Sequence, residues 1–219
     1  VRFMSDTHSV LAHQFDDLAQ QRRADTLGMW LFLATEVLLF GGLFTTFFVN
    51  RALHHEAFIL AGQTLNMALG GINTCVLLTS SLTMALAVHA AHTGNRRLLI
   101  QLLLATMVLG CAFLGIKFYE YAHKYHEHLV PGLGLHYEFD SPLAEQAKLF
   151  FAMYFVMTGV HAIHMLIGLA ILTILVIRAF RYPTTTENYM PVEISGLYWH
   201  LIDIVWIYLY PTLYLIDLH

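Results

Sequence analysis

Five long apolar stretches interrupt this sequence, approximately Leu27–Val49, Asn66–His89, Leu98–Tyr121, Leu149–Ile177 and Leu197–Leu215. Each supplies the roughly 20 residues that carry an α-helix across about 30 Å of hydrocarbon. A barrel strand needs only about 9–11 residues and alternates in polarity, which these stretches do not. The rest of the composition agrees. Charged residues make up 12% of the 219, against about 25% in soluble domains. The expected fold is therefore all-α, a polytopic membrane bundle of five transmembrane helices (residues 26–219) behind a polar N-terminal segment (residues 1–25).

Basic residues in the short connections orient the bundle. Arg22 and Arg23 precede the first span, Arg96 and Arg97 join the second to the third, and Arg178 and Arg181 follow the fourth. The opposite side carries Arg51, then Lys124 and Lys148 among Glu127, Glu138, Asp140 and Glu145. This bias predicts the N-terminal segment in the cytoplasm and the C-terminus, at His219, outside. A net charge of −4 argues against nucleic acid as a partner. Cys75 and Cys111 both fall within apolar runs, so no disulfide framework is implied.

Polar groups inside the spans are the candidates for function, because ionisable side chains in hydrocarbon are costly and rare. Glu36 stands alone in "LGMWLFLATEVLLFGGLFTTFFV", roughly 14 Å into the membrane. A carboxyl in that setting is expected to be uncharged unless a partner stands near it. The fourth span contains "MTGVHAIHMLIG", with His161 and His164 three residues apart. The fifth places His200, Asp203, Ile207, Tyr210 and Tyr214 on one arc of about 80°. His200 and Asp203, at i and i+3, are spaced to share a hydrogen bond. Trp199, Trp206 and Tyr210 read as lipid-facing or interfacial aromatics. In the second span Gly71, Thr74, Ser81 and Ala85 form a small-residue face suited to close helix packing.

Haem ligation by His161 and His164 is disfavoured, because two ligands on one helix at this spacing cannot lie on opposite faces of one macrocycle. Glu36 and His200 are conceivable further ligands for a metal, but neither Cys nor a second HxxH accompanies the pair. No metal site is expected. His123, His126 and His128 could form a surface metal site, but a solvated loop is the preferred reading, as it is for His54–His55 and His89 with His92 near span ends.

The residues now converge on a family. The chain resembles subunit III of the haem–copper terminal oxidases, the cytochrome c and quinol oxidases. Four stretches carry the likeness in the family's order: "GMWLFLATEVLLFGGLF", "NTCVLLTSSLTMALA", "GVHAIHMLIG" and "YWHLIDIVWIYLY". The resemblance implies a non-catalytic subunit of a respiratory oxygen reductase, with haem and copper in its partners and none of its own. It implies docking against subunit I, with subunit II and a small fourth subunit as further neighbours. It also implies support of proton uptake and turnover stability there, and a phospholipid held in a cleft. Glu36 matches the family's carbodiimide-reactive carboxyl. His161, His164, His200 and Asp203 match its polar positions in the last two helices, where they are expected to handle protons or tie helices together. The chain looks like the short, five-helix form, which puts the lipid cleft in question. A bacterial plasma membrane is the expected location. A proton channel or transporter, and more remotely a di-haem cytochrome, are the competing readings. The electron donor, cytochrome c or quinol, is chosen in other subunits.

Overall fold

The computed structural model describes residues 17–131, 141–181 and 189–216. Among the described residues six helices follow in order: α1 (Leu18–Leu53), α2 (His55–Gly62), α3 (Met67–His92), α4 (Arg96–His126), α5 (Ala144–Arg181) and α6 (Met190–Tyr214). All but α2 are long and apolar enough to cross a membrane. Glu138, Asp140 and His219, which entered the charge argument, lie outside the described residues.

Local signals set the helix starts. Asn66 and Asn95 accept the amides of Leu69 and Leu98 through their side chains, at 3.1 and 3.2 Å, capping α3 and α4. Gly94, at φ +74°, makes the tight turn that lets α4 double back on α3. Long-range hydrogen bonds then fasten the helix ends. Arg96 donates from Nε to the carbonyl of Ala179 and from Nη2 to that of Phe180, both at 2.7 Å. A cation thus satisfies the last carbonyls of α5, where the helix dipole favours it. At the opposite end, Lys124 donates to the Thr64 carbonyl at 2.8 Å and Arg51 to that of Ile216 at 3.1 Å.

The helices α3–α6 form the packed core, with Trp199 at its middle. A methyl carbon added at Gly110 would stand 2.9 Å from the Trp199 ring, and one at Gly168 would stand 3.0 Å from it. The two glycines of α4 and α5 therefore make the room that the indole fills, a use of small residues to bring membrane helices together. Trp199 Nε1 donates to Ser80 Oγ of α3 at 3.0 Å, so one side chain meets three neighbours. The small-residue face of α3 serves the same interface. A methyl at Gly70 would collide with the Tyr210 ring, and Thr74 and Ser81 each bond a side chain of α6. Ala85 is exposed.

Helix α1 lies at the edge. Leu27, Leu38 and Val49 are largely uncovered, as a lipid-facing helix requires. Its C-terminal half is held by Phe47, whose ring lies 5.4 Å from Phe58 and 6.1 Å from Phe150. The short α2, not anticipated from hydropathy, brings Phe58 into that cluster and buries Ala57, Ala61 and Gly62.

Candidate functional site

Glu36 and His164 meet. Glu36 Oε2 lies 2.8 Å from His164 Nε2, joining α1 to α5 at positions 128 residues apart. His164 Nδ1 is 2.8 Å from the Val160 carbonyl, one turn back on its own helix. A carbonyl only accepts, so Nδ1 carries its hydrogen. Nε2 and the carboxyl then share a single proton between them: a neutral acid facing a neutral ring, or a carboxylate facing imidazolium. The Phe40 ring stands edge-on to the imidazole at 5.4 Å, and Tyr198 donates to the His164 carbonyl at 3.1 Å. The pair lines a groove of about 300 Å³ between α1, α5 and α6, whose other walls include Met29, Phe32, Ile171 and Ile194.

His161 points elsewhere. Three residues rotate a helix by about 300°, leaving the two histidines about 60° apart. The His161 ring is buried 5.5 Å from Phe113 and 5.3 Å from Trp206, and neither nitrogen has a hydrogen-bond partner among the described residues. The structure therefore brings His164 and not His161 to Glu36.

His200 and Asp203 do not bond each other. Ser81 of α3 stands across the interface, its Oγ 2.8 Å from His200 Nδ1. It also lies near the Asp203 carboxyl, without either Asp203 oxygen reaching hydrogen-bond geometry. Helical spacing aligned the pair, but the facing helix supplied a nearer hydroxyl for the imidazole.

Two aromatic assignments are corrected. Trp199 and Trp206 are 1% and 0% exposed and lie in the bundle core, not at a lipid interface. Each indole N–H has a hydroxyl partner on α3, Trp206 donating to Thr74 at 3.1 Å, which makes burial affordable. Tyr210 is half-buried and donates to the Met67 carbonyl at 3.3 Å.

Composition and pattern missed a further cluster. Lys117 and Glu120 of α4 are 3% and 4% exposed and paired at 3.0 Å. Lys117 Nζ also donates to the hydroxyls of Tyr154 and Tyr214, at 3.0 and 2.8 Å. Tyr214 in turn donates to the other Glu120 oxygen at 2.6 Å. Every ammonium donor has a partner, and the cation is ringed by Tyr121, Tyr154, Trp206 and Tyr214 at 5.0–5.5 Å. The available signal was "GIKFYEY": opposite charges at i and i+3 in an apolar run, on one helix face. A second cavity, of about 490 Å³, reaches Glu120 and is also lined by Thr64, Asn66, His123 and Lys124. Among the described residues, no three His, Cys, Asp or Glu side chains gather as a metal would need.

With this geometry in place, comparison with known proteins is decisive. The family model for cytochrome c oxidase subunit III matches residues 12–127 and 133–217. The chain belongs to that family. Quinol oxidase subunit 3 of Bacillus subtilis strain 168 is 33% identical over 198 residues, covering 90% of this chain and 89% of the relative. Cytochrome c oxidase subunit 3 of Alkalihalophilus pseudofirmus is 33% identical over 189 residues, covering 86% and 85%. Cytochrome c oxidase subunit 3 of Papio hamadryas is 31% identical over 195 residues, which are 85% of this chain but 67% of that longer protein. As a subunit III the chain is part of a multi-subunit haem–copper oxidase of the respiratory chain. Its five crossing helices and bacterial relatives make it an integral protein of a bacterial plasma membrane.

Proposed function

We propose that this subunit III serves the oxidase by packing against subunit I, supporting proton uptake there and prolonging turnover. Subunit II and a small fourth subunit complete its neighbours, and the haem and copper belong to the partner subunits. The observation that carries this reading is the Glu36–His164 bond, a one-proton pair lining an apolar groove. Such a pair can pass its one proton between carboxyl and ring, and neither form leaves an unpaired charge in hydrocarbon. Lipid contact is the natural use of the groove, whose walls are mostly aliphatic and aromatic. The end bearing Arg96, Arg97, Arg178 and Arg181 is the cytoplasmic one on the positive-inside rule. Relatives named for quinol and for cytochrome c are equally identical to this chain, which supports reading the donor as chosen in other subunits.

The test is to delete the chain and purify the remaining complex. Haem content and initial oxygen reduction are expected to stay near the level of the complete complex. Activity should then decay faster during turnover, and proton uptake should slow as pH rises. Loss of the haem spectrum from an otherwise assembled complex would overturn the proposal, since it would return a cofactor role to this chain.

A further inference from the structure

Three side chains in the packed core stand outside every network above. Asn73 of α3, His161 of α5 and Asp203 of α6 are 0%, 1% and 3% exposed. The amide nitrogen and oxygen of Asn73, both ring nitrogens of His161 and both carboxyl oxygens of Asp203 have no hydrogen-bond partner among the described residues. Membrane interiors punish this more than soluble cores do, because no bulk water competes to satisfy the groups.

Trp206 marks the level at which the three lie. Its indole N–H donates to Thr74, the residue next to Asn73. Its ring lies 5.3 Å from that of His161 and 4.7 Å from that of Phe113. Asp203 precedes it by three positions, less than one turn along α6. Asn73, Phe113, His161 and Trp206 thus occupy one cross-section of the four core helices, with Asp203 about one turn away. Burial by the chain's own helices keeps a partner subunit or a lipid headgroup from these atoms. A ligand here must fit between packed side chains. It must also both donate and accept, because an amide and a neutral imidazole each present one function of each kind.

We propose that this layer is a water-binding site, with ordered water held by Asn73 and His161 and extended to Asp203. Buried water typically makes about three hydrogen bonds to such groups. The site lies between two polar clusters. Lys117 Nζ stands 5.3 Å from the same indole, and leads through Glu120 to the 490 Å³ cavity at one end of the bundle. Ser81 and His200 adjoin Asp203 on the other side. Lys117, whose three donors are all taken, borders the layer without bonding its water.

High-resolution electron cryomicroscopy of the intact oxidase in lipid nanodiscs tests the site. Discrete solvent peaks are expected within about 3.2 Å of a His161 ring nitrogen and of the Asn73 amide. A layer without peaks, or with both side chains bonded directly to other protein atoms, overturns the proposal. Asn73→Leu supplies a second, independent reading through the rate at which the subunit leaves the detergent-solubilised complex. If the amide holds water, the variant strands that water's other partners and dissociation is expected to be about 2- to 13-fold faster. If the amide is simply unpaired, replacing it with an aliphatic group slows dissociation, and the proposal fails.

Discussion

The two ways in which this subunit holds its helices differ in kind. Helices α3–α6 are interlocked: Trp199 sits in space left by Gly110 and Gly168 and bonds Ser80, and Lys117 is enclosed by four aromatic rings and a carboxylate. Helix α1 is attached at its edges, by the Glu36–His164 bond in mid-membrane and the Phe47 cluster and Arg51 near one end. In lipid, helix association draws on close packing and hydrogen bonds without a hydrophobic drive. The core uses both together, whereas much of α1 relies on isolated contacts. The core should therefore respond to substitution as one body and α1 as a set of separable fastenings.

Trp199→Ala probes the comparison at its strongest point. It empties a fully buried indole site and strands Ser80, at an expected cost of up to about 5 kcal/mol. The purified complex should lack the subunit or release it on mild heating. Retention with unchanged thermal release would mean that the core is not interlocked.

Lys117→Met should come next, at about 3 kcal/mol, because it leaves Glu120 buried without its cation. Adding Glu120→Gln is expected to recover part of the loss, read as the interaction term of a double-mutant cycle on subunit dissociation. Additive effects would mean that the two charges do not act as a pair.

His164→Ala belongs to the other class. Polar contacts between membrane helices measure about 0.6 kcal/mol on average and rarely exceed about 1.7. Release of the subunit should accelerate modestly, and no haem band should move. A shifted optical spectrum would make the imidazole a ligand and sink the account of the pair.

The smallest effect is expected from Glu36→Gln, within about 0.5 kcal/mol of the native chain. The amide N–H can still donate to His164 Nε2, so the fastening survives while its proton does not. Labelling of the intact complex by a hydrophobic carbodiimide, mapped to Glu36 in the native chain, should disappear in this variant. Labelling confined to carboxyls near the helix ends in the native complex would show that reagent does not reach the groove.

What the sequence made legible follows the same division. The crossing helices were visible because each announces itself over some 20 residues of unbroken hydropathy. Glu36 and His164 were visible as costly residues in hydrocarbon, although which histidine Glu36 meets depends on how α5 is rotated against α1. The sequence alone leaves Trp199 and Trp206 looking interfacial, because an indole suits a membrane surface and a core alike. Only the glycines on facing helices decide between the two, and their register is a property of the assembled bundle. Lys117 and Glu120 fell near the end of a span, where long charged side chains ordinarily reach for water. Their tyrosine partners lie 37 and 97 residues from Lys117. Helix α2 is 8 residues long, too short for any hydropathy signal to single out.

The separation of Glu36 from His164 also has a consequence in time. The chain is made from its N-terminus, and His164 follows Glu36 by 128 residues. At about 5–20 residues per second, α1 waits about 6–26 s in the bilayer before its imidazole partner has been synthesised. During that interval Glu36 is a solitary acid in lipid, and a carboxyl of this kind opposes insertion by as much as about 3.5 kcal/mol. Leucine and phenylalanine each return about 0.3–0.6 kcal/mol, and α1 carries them densely on both sides of Glu36. The dense apolar flanks of α1 thus serve the biogenesis of the helix, letting it enter the membrane before anything exists to hold it.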